Sequence, residues 1–402
     1  MNQQELIATA AQVLTPNYKQ QPIVLERGQG CRVWDVTGKS YLDLTAGIAA
    51  CPLGHGHPRL TCAVAEQAAK LIHVSNLFFN APQIHLAARL AELTSGMGKT
   101  RTFFCNSGAE ANEAALKLAK RYQTSLRGKS DRVEILSFEG SFHGRSIATV
   151  ALTGQEKYRS GFGPLVEWAR IVPFPSDEHD RRALDSISDK TCAVIIEPIQ
   201  AEGGIRQPPP GFLAKLRQRC DETGTVLLFD EVQTGVGRTG KWFGFETAGV
   251  APDVISLAKG LAGGVPIGAM VARDEIAQAL TAGSHASTFG GNPLASAAAL
   301  ENLRTIDEEN LLDQVNRRGE FLAGKLAALV GSYPRAKAVR GMGLLRGLAL
   351  DEDASPIVAK VRERGVLLSV AGGTVVRFAP PFVVSESELE EGVSALEESL
   401  RQ

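Results

Sequence analysis

The feature that most constrains the fold of this chain is a series of short apolar runs that alternate with longer stretches rich in alanine and leucine. Five runs are strand candidates, namely RTFFCN, RVEILSF, CAVIIEP, TVLLFDE and DVISLAK. Each run is compact and suits a strand that is buried on both faces of a mostly parallel sheet. Stretches at 60–71, 84–93 and 109–127 predict helices. The pattern therefore predicts an α/β fold around a mostly parallel central sheet.

Both ends of the chain predict a second, smaller unit of the α+β type. Near the N-terminus, IVLERGQG and CRVWDVTGKSYLDL indicate a small antiparallel sheet. Pro293 begins a pattern of two long helices, followed by the strand-like GLLRGLAL, a helix, VVRFAPPF and a final helix from Ser385. Because 402 residues exceed the usual size of one domain, we expect a large domain over 55–299. The small domain is expected to combine 300–402 with the N-terminal segment 1–54.

Composition and charge argue against several classes of partner. The net charge of −1 arises from 43 basic and 44 acidic residues without a basic block, so we expect no nucleic-acid binding. No apolar run approaches the roughly 20 residues of a membrane span, so we expect no membrane partner. The six cysteines show no C-x-x-C spacing and MNQQELIATA lacks a signal-peptide pattern. We therefore expect a cytoplasmic protein with free thiols.

A literal match to the dinucleotide-binding pattern G-x-G-x-x-G occurs at GVGRTG, residues 235–240. Such a site requires glycines that join a strand directly to a helix, so that the helix N-terminus meets the pyrophosphate. Here DEVQT separates Phe229 from Gly235, and KWFGF after Gly240 does not begin a helix. The context disfavours a dinucleotide site, and a nicotinamide dehydrogenase is kept as an alternative from a different class.

Two other patterns stop short of a binding motif. GMGKT at 96–100 resembles the end of a P-loop, but the first glycine of that motif would fall at Leu93. His55 and His57 in PLGHGHP lie two residues apart with no third ligand nearby, so a turn is favoured over a metal site. The sequence predicts no metal.

The stretch FCNSGAEAN places Ser107 and Gly108 between a strand and a long alanine-rich helix. Free amides at the start of that helix, together with the Ser107 hydroxyl, suit a phosphate group. Alternatively, Ser107 and Glu110 form an ordinary S-x-x-E capping box. The residues alone leave both interpretations open.

A carboxylate and an amine each follow a predicted buried strand. Asp230 ends TVLLFD, and Lys259 ends DVISLAK before a glycine-rich stretch. A lysine at such a site favours Schiff-base chemistry, because burial lowers the pKa of the amine. The alternatives are an ion pair between the two side chains, or a lysine that is merely solvated at the end of its strand.

The combination of these parts points to pyridoxal phosphate. That cofactor requires a lysine for its aldehyde, a carboxylate for its pyridine nitrogen and a site for its phosphate. Arg145 in SFHGRS and Arg377 in VVRFAPP could each bind a substrate carboxylate, although a lone arginine is usually a surface residue. The sequence therefore favours an enzyme that acts on amino acids.

The chain resembles the class III pyridoxal-phosphate aminotransferases over almost its full length. The motifs that carry the resemblance are NYKQQPIVLERGQG, VWDVTGKSYLDLTAGIA, LGHGHP, SNLFFN, NSGAEANEAALKLA, FEGSFHGRS, IIEPIQAEGG, LLFDEVQTGVGRTG, DVISLAKGLAGGVPIGA, STFGGNP and RFAPP. The resemblance implies fold type I, the aspartate-aminotransferase type. One departure is Ala286, where many members carry glycine.

The resemblance also implies roles for individual residues. Lys259 would bind the cofactor covalently and move the substrate proton, and Asp230 would pair with the pyridinium nitrogen. The ring would be held by Gln233 at its hydroxyl and by Phe142 on its face. The remaining implied roles are phosphate binding by Ser107, Gly108 and Ala109 and by Thr288 of the partner subunit, substrate contact by Ser287, Arg145 and Arg377, and masking of Arg377 by Glu202. The glycines of 235–240 would form a flexible turn after the cofactor carboxylate.

These roles imply a homodimer that transfers an amine in two half-reactions. Within the family, the motifs are most similar to those of members that move the terminal amine of N2-acetylornithine to 2-oxoglutarate, in arginine biosynthesis. The alternatives within the family are aminotransferases for ornithine, succinylornithine, succinyldiaminopimelate or 4-aminobutyrate, and an aminomutase. A catalytically idle relative is disfavoured because Lys259 and Asp230 are both present.

Overall fold

The computed structural model describes residues 1–176 and 180–401. The strands are β1 Leu25–Gln29, β2 Arg32–Asp35, β3 Ser40–Asp43, β4 Thr100–Cys105, β5 Glu134–Phe138, β6 Ala169–Val172, β7 Thr191–Ile196, β8 Val226–Asp230, β9 Val254–Leu257, β10 Gly268–Arg273, β11 Ala336–Met342, β12 Leu345–Leu350, β13 Val366–Leu367, β14 Ser369–Ala371 and β15 Val375–Phe378. The helices are α1 Gln3–Val13, α2 Ala46–Ala49, α3 Pro58–Lys70, α4 Ala81–Leu93, α5 Gly108–Arg121, α6 Ile147–Leu152, α7 Glu156–Arg159, α8 Asp180–Asp185, α9 Phe212–Thr223, α10 Gly244–Ala248, α11 Asp274–Ala277, α12 Pro293–Glu308, α13 Leu311–Ser332, α14 Ser355–Glu363 and α15 Glu386–Leu400.

A seven-stranded sheet forms the centre of the molecule, with strand order β4-β10-β9-β8-β7-β5-β6. Strands β6, β5, β7, β8 and β9 are parallel to one another, and β10 is antiparallel to both of its neighbours, β9 and β4. All five strands that the sequence predicts belong to this sheet. The prediction of an α/β fold with a mostly parallel central sheet is therefore confirmed.

The sheet is buried on both faces. Side chains alternate along β8, so that Leu227 and Phe229 pack in one apolar cluster and Val226 and Leu228 in another. Helix α5 covers the second face with its alanine and leucine side chains. Because both faces are covered, polar groups are concentrated at the strand ends, where the chain leaves the sheet.

Strands β6 and β10 belong to the same sheet but have no strong signal in the sequence. Strand β10, GAMVAR, begins with small residues, and a Cβ at Gly268 would lie 2.3 Å from the Ser107 carbonyl oxygen. Strand β6, ARIV, lies at the sheet edge and is only partly buried. The long apolar run that identifies a central strand is therefore missing in both: β10 needs small residues for close backbone packing, and β6 lies at the edge of the sheet.

Two four-stranded sheets lie outside the central one, with strand orders β1-β2-β3-β13 and β11-β12-β15-β14. The N-terminal hairpins share a sheet with the C-terminal part of the chain, since Val366 pairs with Leu42. This pairing supports the division that we propose, in which 1–54 joins 300–402 and 55–299 forms the large domain.

Segment α2 is a left-handed turn and not an ordinary helix. Ala46, Gly47, Ile48 and Ala49 all have positive φ, between 47° and 64°. Such a conformation is unfavourable for residues other than glycine. Asp43 stabilises its entry, because its Oδ1 accepts the N–H groups of Thr45 and Ala46.

Among the described helices, none combines the length and the apolar character that a membrane crossing requires.

Candidate active site

A cavity of about 360 Å³ lies at the carboxyl ends of the parallel strands of the central sheet. Nine residues that the sequence predicts for the site line it, namely Ser107, Gly108, Ala109, Phe142, Arg145, Glu202, Asp230, Gln233 and Lys259. They come from segments that are far apart along the chain. The fold thus brings together most of the predicted site in a single protomer.

Asp230 ends β8 and is held by three donors. Its Oδ2 lies 2.8 Å from His143 Nδ1 and 2.8 Å from Asn112 Nδ2, and its Oδ1 accepts the Val232 N–H at 3.1 Å. The side chain is almost completely buried. Three donors on one carboxylate fix its orientation and offset the loss of its hydration.

Lys259 follows β9 and adopts a positive φ of 38°, which is uncommon for a residue other than glycine. The protein packed around the amine lowers the pKa of Lys259 by desolvation, against the opposing effect of the carboxylates of Glu202 and Asp230. Within residues 1–176 and 180–401, Lys259 forms no ion pair. The amine thus lines the cavity without a direct partner among the described residues, and Asp230 and Lys259 do not form an ion pair.

Ser107 is the N-cap of α5, and its Oγ accepts the Glu110 N–H at 3.2 Å. Glu110 does not complete the capping box, because its Oε2 instead accepts the N–H of Asn106 at 2.5 Å. The N–H groups of Gly108 and Ala109 have no acceptor in the part of the chain that the structure describes. Both interpretations of this stretch thus hold in part, since Ser107 caps the helix while the first turn keeps free donors beside the cavity.

Arg377 lies on β15, behind the cavity wall, and is almost completely buried. Its Nη1 is 2.5 Å from Glu202 Oε1 and 3.2 Å from Gln233 Oε1, and its Nε donates to Ser369 Oγ at 3.0 Å. Burial raises the pKa of Glu202, but the charge and hydrogen bond of Arg377, together with the effects of Lys259 and Gln233, leave the pKa below its ordinary value. In the structure the Glu202 carboxylate therefore pairs directly with the Arg377 guanidinium.

Arg145 and Phe142 lie on the loop that follows β5. The Arg145 guanidinium is exposed and stacks over the Tyr158 ring at 4.0 Å, with the Phe142 ring 5.4 Å away. Phe142 meets Tyr158 edge to face, with ring centroids 5.5 Å apart. The positive charge of Arg145 is therefore held at the cavity wall by aromatic contacts.

Ser287 and Thr288 do not line this cavity. They border a separate cavity of about 330 Å³, where Thr288 is exposed and Ser287 Oγ accepts from Asn106 Nδ2 at 3.2 Å. Within one protomer the structure does not bring these two residues to Lys259. The roles predicted for Ser287 and Thr288 therefore stay predictions.

Three buried polar residues at the cavity have no role predicted from the sequence: Asn112, His143 and Glu197. Asn112 and His143 hold Asp230, as described above. Burial and the negative charge of Asp230 raise the pKa of Glu197 well above its ordinary value. The sequence contained a signal for two of the three. Asn112 is a polar residue on an apolar face of its helix, and Glu197 is a carboxylate directly after a buried strand.

The GVGRTG segment does not lead directly into a helix, since α10 begins at Gly244, and it is not a flexible turn. Residues 235–240 are buried, and Cβ atoms at Gly237 and Gly240 would lie 2.8 Å from Leu312 and 1.9 Å from Asn316. Arg238 donates to the carbonyl oxygens of Leu344 and Pro380. The glycines are thus required because the turn packs closely against α13, which corrects our expectation of flexibility.

Comparison with known proteins identifies the family that shares these features. The family model described as Aminotransferase class-III matches residues 13–400. An acetylornithine aminotransferase of Myxococcus xanthus is 50% identical over 387 residues, which cover 96% of this chain and 95% of the relative. The solved ornithine aminotransferase of Toxoplasma gondii ME49 has a TM-score of 0.93 at 32% identity, covering 100% of this chain and 95% of that chain. The N-acetylornithine aminotransferase of Stenotrophomonas maltophilia K279a has a TM-score of 0.83 at 36% identity, covering 98% of both chains.

Proposed function

Because the chain belongs to the class III aminotransferases, we propose that it moves the terminal amine of N2-acetylornithine to 2-oxoglutarate with pyridoxal phosphate as cofactor. The products are N-acetylglutamate 5-semialdehyde and glutamate, and the reaction belongs to arginine biosynthesis. The observation that carries the proposal is that Lys259, Asp230 and the start of α5 line one cavity. The similarity to acetylornithine aminotransferases supports the choice of amino donor.

The residues of the cavity fit the chemical groups of pyridoxal phosphate. Free N–H groups and the Ser107 hydroxyl at the start of α5 suit the phosphate. Gly108 packs closely against Val232, since a Cβ at Gly108 would lie 2.8 Å from that side chain, and both residues line the cavity. Asp230 would hold a proton at the ring nitrogen, and Gln233 would face the ring hydroxyl. Lys259 offers an amine that is not committed to an ion pair among the described residues.

The same residues would perform the proton transfers. When bound, pyridoxal phosphate supplies an aldehyde that reacts with amines and a ring that withdraws electrons from the substrate carbon. Lys259, whose pKa is lowered by desolvation, would take a proton from that carbon and return it to the neighbouring atom. His143 and Asn112 hold the Asp230 carboxylate in one orientation, in which it would face the ring nitrogen.

Two substrates with different charges have to use the same cavity. The proposed donor brings a terminal amine, whereas 2-oxoglutarate brings a carboxylate at each end. When Glu202 is paired with Arg377, the charge of the guanidinium is neutralised. The cavity wall that Glu202 forms can then accept the uncharged part of the donor. If Glu202 moves away, Arg377 can bind a carboxylate of 2-oxoglutarate with two hydrogen bonds, and Arg145 can bind a carboxylate at the other side.

We propose that the working form is a homodimer. Leu77, Phe78 and Phe79 are 85%, 70% and 93% exposed in the single chain, although all three are strongly apolar. Such a patch is typical of a surface that a partner covers. Asn76 beside them donates to the Ser287 carbonyl oxygen at 3.0 Å, so this apolar loop is joined to the segment that carries Thr288. A second copy on this surface would bring Thr288 to the cofactor phosphate.

Steady-state kinetics test this function directly. Acetylornithine, succinylornithine, ornithine and 4-aminobutyrate are compared as donors at fixed 2-oxoglutarate, and glutamate formation is measured. We expect the highest kcat/KM for acetylornithine. A higher value for another donor would overturn the choice of substrate, and no glutamate from any of the four would overturn the proposed function itself.

A further inference from the structure

Glu197 is a buried carboxylate at the cavity to which none of the roles above is assigned. It directly follows β7, is 5% exposed and lines the cavity. Strands β7 and β8 are parallel, with Ile196 paired with Phe229. Glu197 therefore lies beside Asp230 at the same edge of the sheet.

The two oxygens of Glu197 hold two different segments of the chain. Oε1 accepts the Phe142 N–H at 2.9 Å, and Oε2 accepts the Ala201 N–H at 3.1 Å. In the described ranges Glu197 forms no ion pair with a cationic side chain. Its polar contacts are thus to the backbone, and they bridge two segments that are about sixty positions apart in sequence.

Each of these segments forms a wall of the cavity. The first carries Phe142 and Arg145, and the second carries Glu202, which pairs with Arg377. The two walls are in close contact, since a Cβ at Gly203 would lie 2.4 Å from the Gly140 carbonyl oxygen. In such packing a shift of one wall moves the other.

We propose that Glu197 is a positioning residue for the transamination reaction, because its carboxylate spans the two walls and fixes the Phe142 ring relative to the Glu202–Arg377 pair. This inference rests on the proposed function. It requires both oxygens as acceptors and the full length of the glutamate side chain. Glutamine replaces one acceptor by an NH₂ group that faces an N–H, and aspartate is too short to reach both walls.

The test compares Glu197→Gln and Glu197→Asp with the wild-type holoenzyme. Asp253→Asn is the matched control, because Asp253 is a buried carboxylate that accepts the Leu227 N–H at 2.8 Å near the opposite end of β8. The measurements are the rate of pyridoxal phosphate loss, followed by visible absorbance, the KM for 2-oxoglutarate, and the melting temperature.

We expect both Glu197 variants to lose cofactor faster and to raise the KM for 2-oxoglutarate, each by about tenfold or more, since one of the two hydrogen bonds that join the walls is lost. Asp253→Asn should lower the melting temperature but leave both site measurements unchanged. If the Glu197 variants behave like Asp253→Asn, the positioning role is wrong. If Glu197→Asp keeps wild-type values, charge and not span is what matters, and the inference is also wrong.

Two controls keep these outcomes separate. A wild-type protein that transfers no amine would refute the proposed function, while cofactor loss would still report on Glu197. If neither variant folds, hydrogen exchange of the wild-type holoenzyme provides the answer. The Phe142 and Ala201 amides should both exchange slowly, and rapid exchange at either one would refute the bridge.

Discussion

At the scale of single residues, burial changes the pKa of a carboxyl group that lies next to the cavity residue Asp230. Glu231, next to Asp230, accepts the N–H groups of Gly244 and Phe245 at 2.9 and 2.7 Å, and burial raises its pKa from 4.5 to about 7. Between these two values the folded protein keeps a proton that the unfolded chain has released. The free energy of unfolding therefore falls as the pH rises through this window, and this group adds no further change above it.

Replacing Glu231 by glutamine should remove that pH dependence. We expect the wild-type free energy of unfolding to fall relative to that of Glu231→Gln by up to roughly 3 kcal/mol between about pH 4.5 and pH 7. Urea denaturation followed by circular dichroism at several pH values measures the difference. Glu222→Gln, a change at an exposed position of α9, should keep the wild-type pH dependence. Parallel curves for wild type and Glu231→Gln would show that Glu231 titrates normally.

At the scale of elements, the start of α5 combines a structural and a binding role in one side chain. Ser107 caps α5 and Ser385 caps α15, and in each case Oγ accepts an N–H at 3.2 Å. Both Ser→Ala variants should lose about 1 kcal/mol of stability. Only Ser107→Ala should also weaken pyridoxal phosphate binding, by about tenfold, because only Ser107 lines the cavity. Equal cofactor affinity in the two variants, measured by fluorescence titration, would contradict the phosphate site.

The elements also show what could be predicted from the sequence. Central strands such as β7 and β8 are fully buried, so their apolar runs predicted them directly. Strand β10 was missed because close backbone contact at Gly268 requires small residues. Asp230 and Lys259 were found because a charged group at the end of a buried strand loses hydration, which a binding or catalytic role can explain. His143 and Glu197 were given no role, because theirs depends on contacts between segments that are remote in sequence.

At the scale of the whole molecule, we propose that a complete active site needs two copies of the chain. Phe79 is 93% exposed, so in the single chain Phe79→Asp disturbs no core, but it places a charge on the apolar surface that we assign to the partner. We expect this variant to be monomeric in sedimentation velocity and to lose most activity, since Thr288 is then absent from the site. Leu126→Asp is the control. Leu126 is 51% exposed and follows the C-terminal end of α5, whereas Ser107 at the N-terminal end lies at the cavity. This variant should remain dimeric. A fully active Phe79→Asp monomer would contradict the shared site.

The central claim is that the amine of Lys259 and the carboxylate of Asp230 serve one cofactor in one cavity. Its most direct test is borohydride reduction of the purified holoenzyme, followed by proteolysis and mass spectrometry of the labelled peptide. We predict that the reduced cofactor is attached to Lys259, and that Lys259→Ala folds normally but carries no label and transfers no amine. Attachment to any other lysine, or a Lys259→Ala variant that still transfers the amine, would contradict the account.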